Sequence, residues 1–248
     1  MNSFNRDNRI KLFCLPYAGG SSVIYHPWKA HIGDQIELIP VELAGRGRRI
    51  NENPYRNIDE AVEDVYQFIK DQIQFSPYMI FGHSMGAMIA YELTQKIRRE
   101  GAKAPLHVFF SGKGALHVER PDKVKLHLLD DSAFKKEVID LGGTPPEFFE
   151  YPELMELFLP LLKNDFRVAE TYKFKSPIQP FDQDITVLLG KEDDLNEAQC
   201  QEWVEHSTAI CLTHYFEGGH FFINDEQDAI LQIIQNAVKT YAFSPLLR

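Results

Sequence analysis

Apolar residues recur along the chain in two alternating rhythms. Lys11 to Pro16 is a short apolar run that ends in the turn-forming Tyr17-Ala18-Gly19-Gly20, and Ile36 to Val41 is a second. Brief apolar runs bounded by turn residues read as strands of a buried sheet. Ile58, Ala61, Val62, Val65, Phe68 and Ile69 then fall at helical spacing, which predicts a helix over Ile58 to Ile73. Tyr78 to Phe81 is a further strand, broken at Gly82, and Met85 to Arg99 is a helix with Ile89, Leu93 and Ile97 on one face. His107 to Ser111 gives another strand. The alternation resumes with strand Ile185 to Leu189, a helix near Glu197 to His206, strand Ile210 to Phe216 and a closing helix from about Glu226 to Tyr241. Such alternation predicts an α/β fold, with a mostly parallel central sheet flanked by helices.

Between Gly112 and Pro177 the strand pattern disappears. Short helical stretches replace it, separated by Pro121, Gly142-Gly143, Pro145-Pro146, Pro152 and Pro160. This stretch, about residues 113–176, reads as a helical lid inserted into one domain spanning residues 1–248. Ordinary helices packed on the sheet are the alternative. The density of aromatic residues and leucines from Phe148 to Leu162 suits a cover over an apolar site.

Composition narrows the class. With 248 residues, 44% hydrophobic and 25% charged, the chain is globular. A formal charge of −10 argues against a nucleic-acid surface, which needs a concentrated cationic face. Cys14, Cys200 and Cys211 are an odd number at unrelated spacings, fitting neither a disulfide framework nor a zinc site, so no metal is expected. Met1 to Asp7 has no apolar core of a secretory signal. The longest uncharged stretch, Phe75 to Tyr91, is too short and too polar to span a bilayer. A cytoplasmic monomer with no membrane partner is the expectation.

The chemistry concentrates at Gly82-His83-Ser84-Met85-Gly86. A serine hydroxyl needs a base beside it and donors waiting for the oxyanion. Gly-x-Ser-x-Gly between a strand and a helix turns the chain sharply enough to lift the hydroxyl to the top of the sheet. This resembles the nucleophile elbow of the α/β-hydrolase fold. In that order of triad residues the acid follows a late strand and the histidine the last one. His220, in Gly218-Gly219-His220 after the last strand, is the candidate base, whereas His206 falls in a helix, His214 in a strand and His83 is expected to shape the elbow. For the acid, Asp193 stands three residues after Gly190 and is favoured, with Asp194 in competition. Met85 and Ala18 are the candidate oxyanion donors through their backbone N–H groups. Arg46, Arg48 and Arg49 form a basic loop that either meets an anionic ligand or is simply solvated.

Four segments carry a closer resemblance. They are Leu12 to Gly20, Glu42-Leu43-Ala44-Gly45-Arg46-Gly47-Arg48-Arg49, Phe81 to Gly86, and Leu141-Gly142-Gly143-Thr144-Pro145-Pro146-Glu147 with its continuation Leu159 to Phe166. Together with Gly218-Gly219-His220 they make the chain similar to type II thioesterases of nonribosomal peptide or polyketide synthesis. One departure is Ala44, where that family usually carries proline. The resemblance implies an editing enzyme that hydrolyses acyl groups from the phosphopantetheine arm of acyl or peptidyl carrier domains and needs no cofactor of its own. A medium-chain thioesterase of a fatty acid synthase and a non-catalytic carrier-binding module are the competing readings. An acidic protein would dock an acidic carrier through a local patch, for which Lys113, Lys123 and Lys125 are candidates.

Overall fold

The structure is a computed structural model that describes residues 9–120, 123–143 and 151–242. Six strands, β1 (Ile10–Leu15), β2 (Ile36–Pro40), β3 (Tyr78–His83), β4 (His107–Ser111), β5 (Asp184–Gly190) and β6 (Cys211–Phe216), form one sheet in the order β2-β1-β3-β4-β5-β6. Every pairing is parallel. All the expected strands form, with ends within two residues of the sequence reading. The one extension of note is β3. It does not break at Gly82, which still pairs with Leu15 and Phe110, so the strand ends at His83.

Side-chain alternation decides which helices cover which face. Phe13, Leu15, Tyr78, Ile80, Val108, Phe110, Val187 and Leu189 share a core with α1 (Ile58–Phe75) and α2 (Met85–Arg99). The intervening Leu12, Cys14, Met79, Phe81, Phe109 and Leu188 meet Tyr25 and Trp28 of a 3-10 segment (Ser22–Ala30) and the last helix. Asn57 caps α1 by accepting the Glu60 N–H at 2.9 Å, and Asp59 and Glu60 complement the helix dipole.

Among the described residues between β4 and β5 are a 3-10 turn (Leu126–Leu128) and two α-helices: α3 (Asp131–Leu141), stopped by Gly142 in the left-handed region at φ 84°, and α4 (Pro152–Glu170). Pro121, Thr144 to Glu147 and Phe148 lie outside the described residues, as does Met1 to Asp7. Pro160 does not separate helices as its sequence context implies; α4 runs through it. Pro160 and Glu156 both lie on the exposed side, so the carbonyl that loses its partner is open to water. Phe134 and Val138 of α3 pack against Leu159 and Leu162 of α4, and Ala18 joins this cluster from the loop after β1. The helix expected near Glu197 to His206 is α5 (Glu197–Gln201) followed by a 3-10 turn (Glu202–His206). The chain closes with α6 (Phe222–Asp225) and α7 (Gln227–Ala242). Among the described residues no helix is long and apolar enough to cross a membrane.

Two buried histidines outside the site couple the fold to pH. Burial pushes His107, stacked on Phe109 and sharing a hydrogen bond with Thr186 Oγ1, down to about 4 from the usual 6.5. Burial, with the charge of His117 adding to it, pushes His206 to about 4 as well. Both are neutral when folded and gain a proton more readily when unfolded. Their contribution is therefore complete above pH 6.5 and is lost as pH falls from there toward about 4. Urea midpoints are expected to drop across that window, and His107→Gln to make the drop shallower; equal slopes would contradict the assignment.

Candidate active site

The strand order creates the place where the site forms. From β1 the chain moves outward to β2 and then returns to β3 on the other side of β1, so the loops after β1 and β3 diverge at a topological switch point. Ser84 leaves β3 there, and Ala18 leaves β1.

The elbow is sterically forced. Ser84 sits at φ 54°, ψ −114°, and is the sole positive-φ residue other than glycine among the described residues. A Cβ at Gly82 would lie 2.1 Å from the Gly86 carbonyl oxygen, and one at Gly86 would lie 2.2 Å from that of Leu15. Neither position admits a side chain. The Ser84 N–H donates to the Ser111 carbonyl at 2.8 Å, while its own carbonyl accepts from Ala87 N–H at 3.0 Å to start α2.

The three residues singled out from the sequence meet. His220 Nε2 lies 2.8 Å from Ser84 Oγ, and His220 Nδ1 lies 2.9 Å from Asp193 Oδ2. Asp193 is 6% exposed at its side chain and Asp194 65%. Asp194 instead faces outward to Lys123 at 3.2 Å and Arg120 at 3.5 Å, and these cations hold its carboxyl below the usual range. The loops that carry acid and imidazole are laced together, since the Glu192 N–H donates to the Gly218 carbonyl at 3.0 Å and Lys191 N–H to that of Phe216 at 2.9 Å.

His83 lies beneath His220, with ring centroids 5.3 Å apart, and its Nδ1 shares a 2.8 Å hydrogen bond with Ser111 Oγ. Burial, with the charge of His220 pushing the same way, keeps His83 far below the usual histidine range and therefore neutral. No second cation opposes a proton on His220 from below. Phe221 packs edge-on to His220 at 5.1 Å and to Tyr17 at 4.9 Å, tying the imidazole loop to the loop after β1.

Tyr17-Ala18-Gly19-Gly20 is a β-turn closed by Gly20 N–H to the Tyr17 carbonyl at 2.9 Å, with Gly19 at φ 75° as a type II turn requires. The Gly19 N–H donates to Asp165 Oδ2 at 2.8 Å. The N–H groups of Ala18 and Met85 have no hydrogen-bond acceptor among the described residues, which leaves them free for a ligand oxygen.

The basic loop is neither solvated nor ready for a ligand at two of its three arginines. Arg46, 3% exposed, forms a bidentate pair with Asp165 of α4 at 2.7 and 2.9 Å. Arg49 pairs with Asp64 and Glu52. Arg48 alone points to solvent. Sequence reasoning missed Asp165, although it lies in one of the segments that carry the resemblance. Ala44 donates its N–H to Tyr55 Oη at 3.0 Å, a bond that proline at this position would forgo. Lys113 is half-buried, and burial, with the charge of Lys123 adding to it, pushes it down to about 8. Lys125 is exposed, and Lys123 is occupied by Asp194. The three cysteines are free thiols, and among the described residues no cluster of three or more His, Cys, Asp or Glu is arranged to hold a metal ion.

A family model described as "Thioesterase domain" matches residues 10–238. Linear gramicidin dehydrogenase LgrE of Brevibacillus parabrevis is 33% identical over 236 residues, covering 94% of this chain and 89% of that protein. The medium-chain S-acyl fatty acid synthase thioesterase of Rattus norvegicus is 30% identical over 239 residues, covering 96% and 88%. Among solved structures, the type II thioesterase YbtT from the yersiniabactin NRPS/PKS biosynthetic pathway superimposes with a TM-score of 0.84 at 30% identity, covering 98% of this chain and 96% of that one.

The two adjacent aspartates give a direct test. Asp193→Ala is expected to lower turnover of an activated ester by about 10⁴-fold, as removal of a triad acid does. Asp194→Ala, which loses only surface ion pairs, should stay within about twofold of the parent. Equal effects of the two substitutions would overturn the assignment of Asp193.

Proposed function

The chain belongs to the thioesterase family, as an α/β-hydrolase akin to type II thioesterases of nonribosomal peptide and polyketide pathways, and we propose that it hydrolyses acyl groups from the phosphopantetheine arm of carrier domains through a Ser84-His220-Asp193 triad. What supports this reading most is the unbroken hydrogen-bonded run from Asp193 through His220 to Ser84, next to two free backbone donors.

Ser84 Oγ attacks the thioester carbonyl as its proton passes to His220 Nε2. Asp193 accepts from Nδ1–H, fixing the tautomer that leaves Nε2 unprotonated at rest and stabilising the imidazolium that forms. The carbonyl oxygen, now an oxyanion, receives the N–H groups of Met85 and Ala18. When the C–S bond breaks, the pantetheine sulfur takes the proton from Nε2 and leaves as a thiol. Water then attacks the acyl-serine, giving its proton to Nε2, which returns one to Ser84 Oγ as the carboxylic acid departs. These steps draw on side chains and main-chain donors of this chain, on water and on the carrier's own thiol.

The helices α3 and α4 cover this site in our reading, as a lid of about residues 113–176 within one domain. Tyr151, just before α4, and Leu154 and Leu157 in its N-terminal half are exposed and give that cover an apolar outer face. The dehydrogenase name of LgrE does not carry over. A nicotinamide site of the doubly wound kind opens a helix with Gly-x-Gly-x-x-Gly after its first strand, whereas β1 here leads into Tyr17-Ala18-Gly19-Gly20-Ser21-Ser22.

The rat relative favours a second reading, release of medium-chain fatty acids from a fatty acid synthase. Chain length separates the two. Carrier domains loaded with acetyl, single aminoacyl or medium-chain acyl groups are incubated with the protein and followed by mass spectrometry. Acetyl and aminoacyl groups are expected to leave fastest, and Ser84→Ala to lose at least about 10³-fold. A marked preference for medium chains would transfer the assignment to the fatty-acid reading. Equal rates for the parent and Ser84→Ala would leave only a carrier-binding module.

A further inference from the structure

We infer that Asp165 is a positioning residue for the oxyanion hole, acting from the cover helix α4 on the turn after β1. The inference rests on the reading of Ser84, His220 and Asp193 as a triad served by the N–H groups of Ala18 and Met85. Asp165 is 1% exposed, yet none of its contacts reaches Ser84 or His220. Its Oδ2 takes the Gly19 N–H at 2.8 Å and Arg46 Nη1 at 2.7 Å, and its Oδ1 takes Arg46 Nη2 at 2.9 Å. Arg46 Nη1 in turn donates to the Gly20 carbonyl at 3.1 Å, and Arg46 Nε to that of Ala44 at 3.3 Å. The turn is thus gripped at two adjacent residues, by a carboxylate on the Gly19 N–H and a guanidinium on the Gly20 carbonyl.

The charge of Asp165 selects one state of that turn. Types I and II interconvert by rotating the central peptide, here Ala18–Gly19, through about 180°. In the observed type II form the Gly19 N–H faces the carboxylate. In the flipped form the Ala18 carbonyl oxygen would face it, an arrangement with two acceptors and no proton between them. The flip is therefore excluded by Asp165 and not by the turn itself. The Ala18 N–H belongs to the preceding Tyr17–Ala18 peptide and survives such a flip, so what Asp165 fixes is the position of the whole turn that carries this free donor. Leu162, one helical turn before Phe166 on the same helix, presses on the turn as well, with Cδ1 2.5 Å from where a Gly19 Cβ would stand.

A purely structural ion pair would behave differently. Replacing both members of a buried pair by apolar side chains of similar volume is often neutral for stability, but nothing apolar accepts the Gly19 N–H. Two variants exploit this. Asp165→Asn keeps the size and removes the discrimination, because its amide accepts from the Gly19 N–H or donates to the flipped carbonyl. The double variant Arg46→Met/Asp165→Leu removes the charges and the acceptor together.

Each is measured for kcat, KM, thermal midpoint and affinity for a boronate that mimics the tetrahedral oxyanion, with Ser84→Ala in the same series. We expect kcat to fall about 10–100-fold in both variants, less than the 10²–10³ seen on deleting a donor outright. KM should move less than about threefold, boronate affinity should fall in step with kcat, and the double variant should melt near the parent. Parent-like kcat in either folded variant overturns the inference, as does a loss confined to KM. If neither variant folds, the pair is a folding element and the inference is again overturned. A parent no faster than Ser84→Ala would instead fail the triad reading on which the inference stands.

Discussion

The rest of the site depends on a main-chain constraint at Ser84. An L-residue held at φ 54° costs of order 1–3 kcal/mol and persists only where its surroundings over-determine it. Three fixtures do so. The Ser84 N–H is bound to Ser111, the Ser84 carbonyl starts α2, and the Gly86 backbone is wedged between Gly82 and the end of β1. Helix α2 has little freedom to relax this strain, because Met85 to Gln95 is buried on every side. Even its charge is enclosed. Glu92, 2% exposed, accepts from Tyr172 Oη at 2.7 Å and Lys175 Nζ at 3.3 Å, which joins α2 to the segment after α4.

With Ser84 fixed, the groups around it are registered to it through backbone and not through long side chains. Asp193 and His220 sit on loops that continue the β5–β6 hydrogen bonding past the strand ends, so their separation is set by the sheet. Ala18 follows β1, the neighbour of the strand that leads into Ser84. Ionic state is arranged in the same economical way. The carboxylate on His220 is nearly enclosed, the imidazole beneath it is kept neutral by burial, and the exposed acid next in sequence is held by Arg120 and Lys123. Among the described residues, a protonated His220 therefore meets one anion and no competing cation at contact distance.

Much of this was legible in the sequence, for identifiable reasons. Strands of a parallel sheet are buried on both faces and show as apolar runs, and the elbow needs glycines at fixed offsets from its serine, so β3, Ser84 and α2 were readable together. His220, which lies beside Ser84, was singled out by its place after the last strand. The choice between Asp193 and Asp194 was readable only as a spacing from Gly190, because which carboxylate turns inward depends on how two loops lace together. Pro160 misled, since a proline breaks a helical pattern locally while tertiary packing of Leu159, Leu161 and Leu162 holds the helix through it. The Arg46–Asp165 pair stayed hidden for another reason. Its members lie 119 residues apart, and nothing in the basic loop distinguishes Arg46 from Arg48 and Arg49 as the one with a buried partner.

That pair also bears on what moves. Removing one member of a buried ion pair costs about 3–5 kcal/mol, comparable to the whole margin of many small domains. Swinging Asp165 away from Arg46 would incur a similar penalty. The C-terminal half of α4, from Leu161 through Asp165 to Val168, is thereby bound to the frame that holds the turn after β1. The N-terminal half is different, for Leu157 is 70% exposed and Tyr151 60%, and Pro160 removes a rung of the helix ladder between the two halves. In the proposed reaction, any opening of a cover would leave this C-terminal half in place, since moving it separates Asp165 from Arg46.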